Sequence, residues 1–138
     1  MSRVVVSGDS IEEIVRKVAT EIPRQMASRA YRGSNELRNS ALDVLSGSRS
    51  GRMYGGHQAS APGEPPAQRS GTLRLSWQPK TYTGGTTFKS SIETGVWYDD
   101  WLENGTPGGQ MAPRPHHERI QNDALPKIIR IYDEPYNV

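Results

Sequence analysis

The stretch Ser60–Trp77, S-A-P-G-E-P-P-A-Q-R-S-G-T-L-R-L-S-W, limits what this chain can fold into more than any other. Pro62, Pro65 and Pro66 fall within five residues. Each proline fixes φ, removes a backbone donor and pushes the preceding residue toward extended geometry. Residues 55–70 are therefore expected as a stiff, extended arm, neither helix nor central strand. Ser70-Gly71 is a turn signal that ends the arm. A compact amphipathic piece follows, in which Leu73, Leu75 and Trp77 alternate with Thr72, Arg74 and Ser76. A loop of this length is uncommon inside a small domain and is usually functional. A disordered linker is the alternative, but the rest of the chain is too short to form two independent domains around it.

At 138 residues the chain is expected to be one domain. Only 33% of residues are hydrophobic, and the mean hydropathy is −0.73. Such a chain buries a small core and is expected to gain part of its order against neighbours. There is no cysteine, which excludes disulfides, a thiol nucleophile and thiolate metal sites. Val4-Val5-Val6 is far too short for the apolar core of a signal peptide, so none is expected. No apolar run approaches the length of a membrane span. The net charge of +2 is not that of a strongly basic protein. It is polarised, however. Residues 1–52 hold nine Lys and Arg against six Asp and Glu, and residues 81–138 hold five against eight. Ordinary scatter is the preferred account. The sharper one is complementarity between the early part of one copy and the late part of another.

Along the chain, Ser7-Gly8-Asp9 reads as a turn, and Ser10 with Glu13 as a capping box. Ile11, Ile14, Val15, Val18, Ala19 and Ile22 then recur at helical spacing as a core stripe. Pro23 is expected to kink or end this helix. The pattern resumes through Met26, Ala27 and Ala30, then Leu37, Ala41, Leu42 and Leu45. The expectation is a long kinked helix, or two in line, over about 10–46. Arg52-Met53-Tyr54 suggests a short strand. Residues 78–83 and 86–93 read as a hairpin around Gly84-Gly85, with Pro79 at an edge and Tyr82, Phe88 and Ile92 on the core side. Val96, Trp97, Tyr98, Trp101 and Leu102 predict a short helix stopped at Asn104-Gly105. A last helix starts at His116, with Ile120, Ala124, Leu125, Ile128 and Ile129 as its stripe and a bend at Pro126. The tail 132–138 is expected to be loose or to dock on a neighbour. This order indicates an α+β fold: a long kinked N-terminal helix, a small antiparallel sheet with the proline-rich arm, a short helix and a C-terminal helix.

Catalytic patterns are weak. Asp99 and Glu103 share a helical face, and paired carboxylates can bind metal or do acid–base work. Nothing completes such a site at recognisable spacing, and a solvated or salt-bridged face is preferred. Adjacent histidines on a helix point to different sides, so His116 and His117 read as a poor pair of ligands for one metal. His57 sits in a glycine-rich loop. There is no H-E-x-x-H, no G-x-S-x-G and no phosphate loop. No enzyme, cofactor or metal is expected. Trp77, Trp97, Trp101 and Tyr98 can stack bases, but such residues are more often core or interface anchors.

Three landmarks stand in series. They are Pro65-Pro66 through Ser70-Gly71-Thr72-Leu73-Arg74-Leu75-Ser76-Trp77, then Tyr98-Asp99-Asp100-Trp101-Leu102-Glu103-Asn104-Gly105-Thr106, then Ala112-Pro113-Arg114-Pro115 opening the last helix. Together they resemble the head–tail joining proteins of long-tailed bacteriophages, described as neck, tail-completion or minor tail components. That family's pattern is a proline followed by T-G-x-L-x-x-S and an aliphatic residue, then Y-x-x-x-x-E-x-G-T, then R-P and an aromatic residue before the C-terminal helix. Ser70 stands where the family usually has threonine, and Trp77 replaces the aliphatic residue. His116 stands where phenylalanine is common, so this anchor is expected to be less buried. The architecture matches over roughly 10–129, and the motifs lie within 60–117.

The resemblance implies a non-enzymatic virion protein, assembled in the bacterial host cytoplasm. It would form a homo-oligomeric ring of six or twelve copies at the head–tail junction. Its neighbours would be head-completion or connector proteins and tail terminator or tail tube proteins. Genomic DNA would pass through the channel without sequence specificity, and no membrane is involved. On this reading residues 1–138 are one head–tail joining domain. Pro62, Pro65, Pro66, Arg69, Leu73, Trp77 and Trp101 are expected at subunit interfaces. Arg24, Arg29, Arg32 and Arg38 are expected to face DNA or an acidic neighbour. The alternatives are a small nucleic-acid-binding module using the early arginines and the aromatic residues, and a metal-assisted hydrolase using Asp99, Glu103 and the histidines.

Overall fold

The computed structural model describes residues 2–4, 8–68 and 71–137, and for Gly8, Asp9 and Ser10 the backbone only. The fold is α+β. Helix α1 spans Gly8–Val44, and two short strands, β1 Met53–Tyr54 and β2 His57–Gln58, follow. The one-turn helix α2, Thr72–Ser76, leads into β3 Gln78–Gly84 and β4 Thr87–Glu93. Helices α3, Asp99–Asn104, and α4, His117–Tyr132, complete the order. Each pair of strands forms its own two-stranded antiparallel sheet. No described helix is long and apolar enough to cross a membrane.

Helix α1 is a single element of 37 residues. It begins ahead of the predicted capping box, so Ser10 lies inside it rather than at its N-cap. Ser7 of the expected turn is outside the described residues. Pro23 does not end the helix. A proline leaves the carbonyl four residues back without its donor, and here Pro23 and Ala19 are both exposed, where water can take that carbonyl.

Only the second half of α1 enters the core. It packs against α4, β4 and β3. The contact is made by small residues: Ala30, Gly33, Ser34, Ser40 and Ala41 are all buried. A Cβ added at Gly33 would lie 3.1 Å from the Ser90 Cβ, so the strand and the helix backbone approach closely there. Ser34 Oγ accepts from the Ser91 amide (3.1 Å) and from Thr81 Oγ1 (2.7 Å), joining both strands to the helix. The central cluster is Ala41, Leu45, Leu73, Trp77 and Ile120, flanked by Val44, Ile92, Val96, Tyr98 and Leu102.

Three expectations about faces change. The stripe Ile11, Ile14, Val15 and Val18 is exposed, not core. In the β3–β4 hairpin, Pro79 pairs with Ile92, Thr83 with Phe88 and Tyr82 with Lys89. Directly paired residues share a face, so Tyr82 lies opposite Phe88 and Ile92. It stands among Lys80, Lys89 and Glu93, close to both amines and hydrogen-bonding the carboxylate. In α4, which continues through Pro126, the buried positions are Ile120, Ala124 and Ile131, while Leu125 and Ile129 are exposed.

Candidate functional site

The densest polar constellation lies between α3 and the start of α4. Asp99 and Glu103, four apart on α3, project from one face as the spacing predicts. Gly105 ends α3 at φ 84, and its amide donates to the Trp101 carbonyl. A side chain there would meet the Met111 carbonyl at 2.9 Å, so glycine lets the following loop fold back tightly. The return is fixed where the Thr106 amide donates to the Met111 carbonyl (3.2 Å) and the Met111 amide to Thr106 Oγ1 (2.9 Å). Pro113 and Pro115 push the residues before them, Ala112 and Arg114, toward extended geometry. His116 is then the non-helical N-cap of α4, at φ −143, and His117 is its first helical residue.

That change of backbone geometry between neighbours makes the two imidazoles converge. His116 Nε2 lies 2.6 Å from Asp99 Oδ1, and His117 Nε2 lies 2.8 Å from Asp99 Oδ2. The ring centroids are 4.6 Å apart. The expectation that the two histidines diverge fails because it assumes both are helical. The expectation that His116 is less buried also fails: it is 0% exposed, held by Asp99 and met edge-on by Trp77. Glu103 has a different task. Its Oε2 accepts from the backbone amides of His116 (2.6 Å) and His117 (3.1 Å), capping α4 from another helix.

Burial of Asp99 by itself pushes its carboxyl up. The hydrogen bonds to His116 and His117, and then their charges, outweigh burial and hold the group down at about 2. The hydrogen bond to Asp99 raises the pKa of His117 against the opposing effect of burial, with Glu103 and Asp100 adding to the rise. Asp99, His116 and His117 offer three ligand atoms, all within 4.8 Å of one another. The sequence contained one signal for this site. Pro113 and Pro115 hold the residues before them extended, which puts His116 at the N-terminal boundary of the helix, where the divergence of helical neighbours need not apply.

The proline arm does not project. Arginines hold it against its own chain through carbonyls that the prolines leave without local donors. Arg49 Nε donates to the Pro65 carbonyl (2.8 Å) and Arg119 Nη2 to the Gly63 carbonyl (2.8 Å). Arg114 Nε donates to Ser60 Oγ (2.9 Å), and the Gly63 amide to the Pro113 carbonyl (3.1 Å). Residues 57–58 of the expected arm form β2. Of the expected interface residues, Pro65, Pro66, Leu73 and Trp77 are buried within this chain, Leu73 and Trp77 in its core, so their surfaces are already covered. Pro62 and Trp101 are exposed, and Arg69 lies outside the described residues. Trp101 packs edge-on against Trp97, centroids 5.2 Å apart, and Trp97 is 73% exposed.

The four arginines expected to face DNA or a neighbour are mostly used inside the chain. Arg29 is buried, donates to the Tyr132 and Pro135 carbonyls, and lies 3.9 Å from the Tyr136 ring centroid. Arg32 pairs with Glu134 at 2.8 Å, and Arg38 Nε donates to the Trp77 carbonyl. Arg24 is well exposed and pairs with Glu21. The described part of the tail, residues 132–137, docks on α1 of its own chain: Gln25 also exchanges two hydrogen bonds with the Asn137 backbone. The early-basic, late-acidic polarity includes a contact within one copy, Arg32 with Glu134. Compared with known proteins, the chain matches no family model, no curated protein and no solved structure.

Proposed function

We propose that this chain is a structural subunit of a phage neck, assembling as a ring of six or twelve copies between the DNA-filled head and the tail. Its role is non-catalytic, and DNA passes through the ring without sequence-specific contact. The observation that carries the reading is the first half of α1. Ile11, Ile14, Val15 and Val18 recur at helical spacing, and all four are exposed, Ile14 and Val15 at 60%. A soluble chain with so lean a core leaves such a stripe in water only at a cost, and covering it with another subunit removes that cost. The exposed Trp97–Trp101 pair is a second apolar surface of the kind that anchors interfaces.

The three landmarks behind the family resemblance also form one contiguous unit. Leu73 and Trp77 of the first pack with Tyr98 and Leu102 of the second, and the Arg114 amide of the third donates to the Leu102 carbonyl. The arm braces this unit, and the subunit contacts move to α1 and the tryptophan pair. Light scattering and negative-stain imaging of the purified protein test the proposal. A closed ring is expected, and Ile14→Glu with Val18→Glu is expected to leave a folded monomer. A wild-type monomer that binds neither purified capsids nor purified tails would overturn it.

A further inference from the structure

We infer that Asp99, His116 and His117 form a binding site for one divalent transition cation of the zinc class. The inference stands apart from the ring reading, and neither depends on the other.

The first argument is the convergence of ligand atoms in a buried place. His116 is fully buried and Asp99 is 6% exposed. Asp99, His116 and His117 each offer one ligand atom, and these atoms lie within 4.8 Å of one another. His116 Nε2 lies 2.6 Å from Asp99 Oδ1 and His117 Nε2 lies 2.8 Å from Asp99 Oδ2. His116 Nδ1 is turned the other way, 2.9 Å from the Arg114 carbonyl oxygen and 3.1 Å from Glu103 Oε2, and both of these atoms only accept, so Nδ1 carries a hydrogen. A bound cation would replace the hydrogens between the Nε2 atoms and the carboxylate, releasing them as protons.

The second argument is the match to a built metal site. A histidine ligand almost always donates its other N–H to a carbonyl or carboxylate, which fixes the ring and the tautomer. His116 does so toward Arg114. Glu103 is occupied by the amides of α4 and is not counted as a ligand. Ligands about 2 Å from a tetrahedral zinc stand about 3.3 Å from one another. The three ligand atoms lie within 4.8 Å of one another, and the contacts of 2.6 and 2.8 Å, made to different oxygens of Asp99, open by about 0.5–0.7 Å to seat the ion. Two imidazoles and one carboxylate suit zinc and its transition-metal neighbours, not calcium or magnesium, which prefer all-oxygen shells.

Access is present on one side. His117 is 42% exposed at its side chain and lines a groove of about 610 Å³ between β4 and α4, together with Trp77, Ile92, Ile120 and Leu125. Solvent can fill the remaining coordination position from there. An ion held in this way ties the first turn of α3 to the start of α4.

The test uses the full-length protein without a histidine tag, stripped with a chelator and dialysed. Zinc sulfate is titrated in by calorimetry, with magnesium chloride as the control, and cobalt absorption reports the ligand field. One saturable equivalent of zinc is expected and no magnesium binding. His117→Ala, at a half-exposed position where folding should survive, is expected to weaken zinc binding at least tenfold, as is Asp99→Asn. His57→Ala, which lies elsewhere, is expected to change nothing. Nitrogen shifts of both Nε2 atoms on zinc addition, with the His116 Nδ1–H retained, would place the ion. Absence of saturable zinc binding by the wild type would overturn the inference. So would binding that survives His117→Ala in a protein whose circular dichroism is unchanged.

Discussion

Arg49 joins the end of the long helix to the proline arm: its Nε donates to the Pro65 carbonyl and its Nη2 to the Val44 carbonyl, each at 2.8 Å. Nη1 reaches the Ser46 and Ser48 carbonyls as well. One planar guanidinium thus serves the open carbonyls at the C-terminus of α1 and anchors a segment whose prolines provide no donors of their own. Arg49→Ala should destabilise the protein by about 1.5–3 kcal/mol, the range for hydrogen bonds to a charged group. Arg49→Lys should recover only part of this, because an ammonium cannot span both carbonyls. Urea denaturation measures the loss, and limited proteolysis should show new cleavage within 55–68 in the alanine variant. An unchanged midpoint and cleavage pattern would mean that the arm is held by other contacts.

Gly33 sits at a helix interior position where alanine ordinarily stabilises by about 1 kcal/mol. Here the sign should reverse. The new methyl would stand 3.1 Å from Ser90 Cβ and closer still to its Oγ. Ser90 Oγ donates to the Ala30 carbonyl at 2.7 Å and contacts the Tyr132 hydroxyl at 3.1 Å, so it cannot turn away without losing both partners. Gly33→Ala should therefore cost about 1–3 kcal/mol through overpacking. Thermal unfolding of this variant alone and combined with Ser90→Ala distinguishes the two cases. The double variant should recover part of the loss, whereas a stabilised single variant would contradict the close packing.

The order of elements was legible because glycine and proline punctuate it: Gly84-Gly85, Asn104-Gly105 and Pro113-Arg114-Pro115 all fall at element boundaries. Which faces become core was much less legible. Apolar periodicity finds large side chains, but α1 packs through Ala30, Gly33, Ser34, Ser40 and Ala41, whose value is their small size. The stripe of Ile11, Ile14, Val15 and Val18 was the stronger periodic signal and lies outside this chain's core. The arm is not extended throughout, because residues 55–56 turn between β1 and β2 and the Glu64 amide closes a second turn on the Ala61 carbonyl; its direction was not legible either, since that depends on arginines 16 to 56 residues distant in sequence. The same holds for the histidine pair. Residues 13 to 18 positions apart meet there only because Gly105 and the two prolines fold the loop back.

Glu64 makes the arm sensitive to acid. Its carboxylate accepts from the amide of Ala61 (2.6 Å), the amide of Ser50 (3.0 Å) and the Ser50 hydroxyl (2.8 Å). These hydrogen bonds, led by that from Ala61, lower its pKa below the ordinary carboxylate value, against a smaller opposing effect of burial and with a small further lowering from Arg49. A carboxyl whose pKa is depressed by folding binds its proton more readily in the unfolded chain. Its contribution to stability is therefore fully present above the unfolded value, about 4.3, and is lost as pH falls through the lower folded value. The amides of Ser50 and Ala61 should be protected from hydrogen exchange at pH 6 and should lose protection relative to the α1 core as pH falls from about 4.3, once the intrinsic pH dependence of exchange is removed. Glu64→Gln keeps the shape but not the charge, so it should begin with weaker protection and show no such step. A step of equal size in the glutamine variant would assign the transition to another carboxylate, with Asp99 and Glu134, both also lowered, the next to replace.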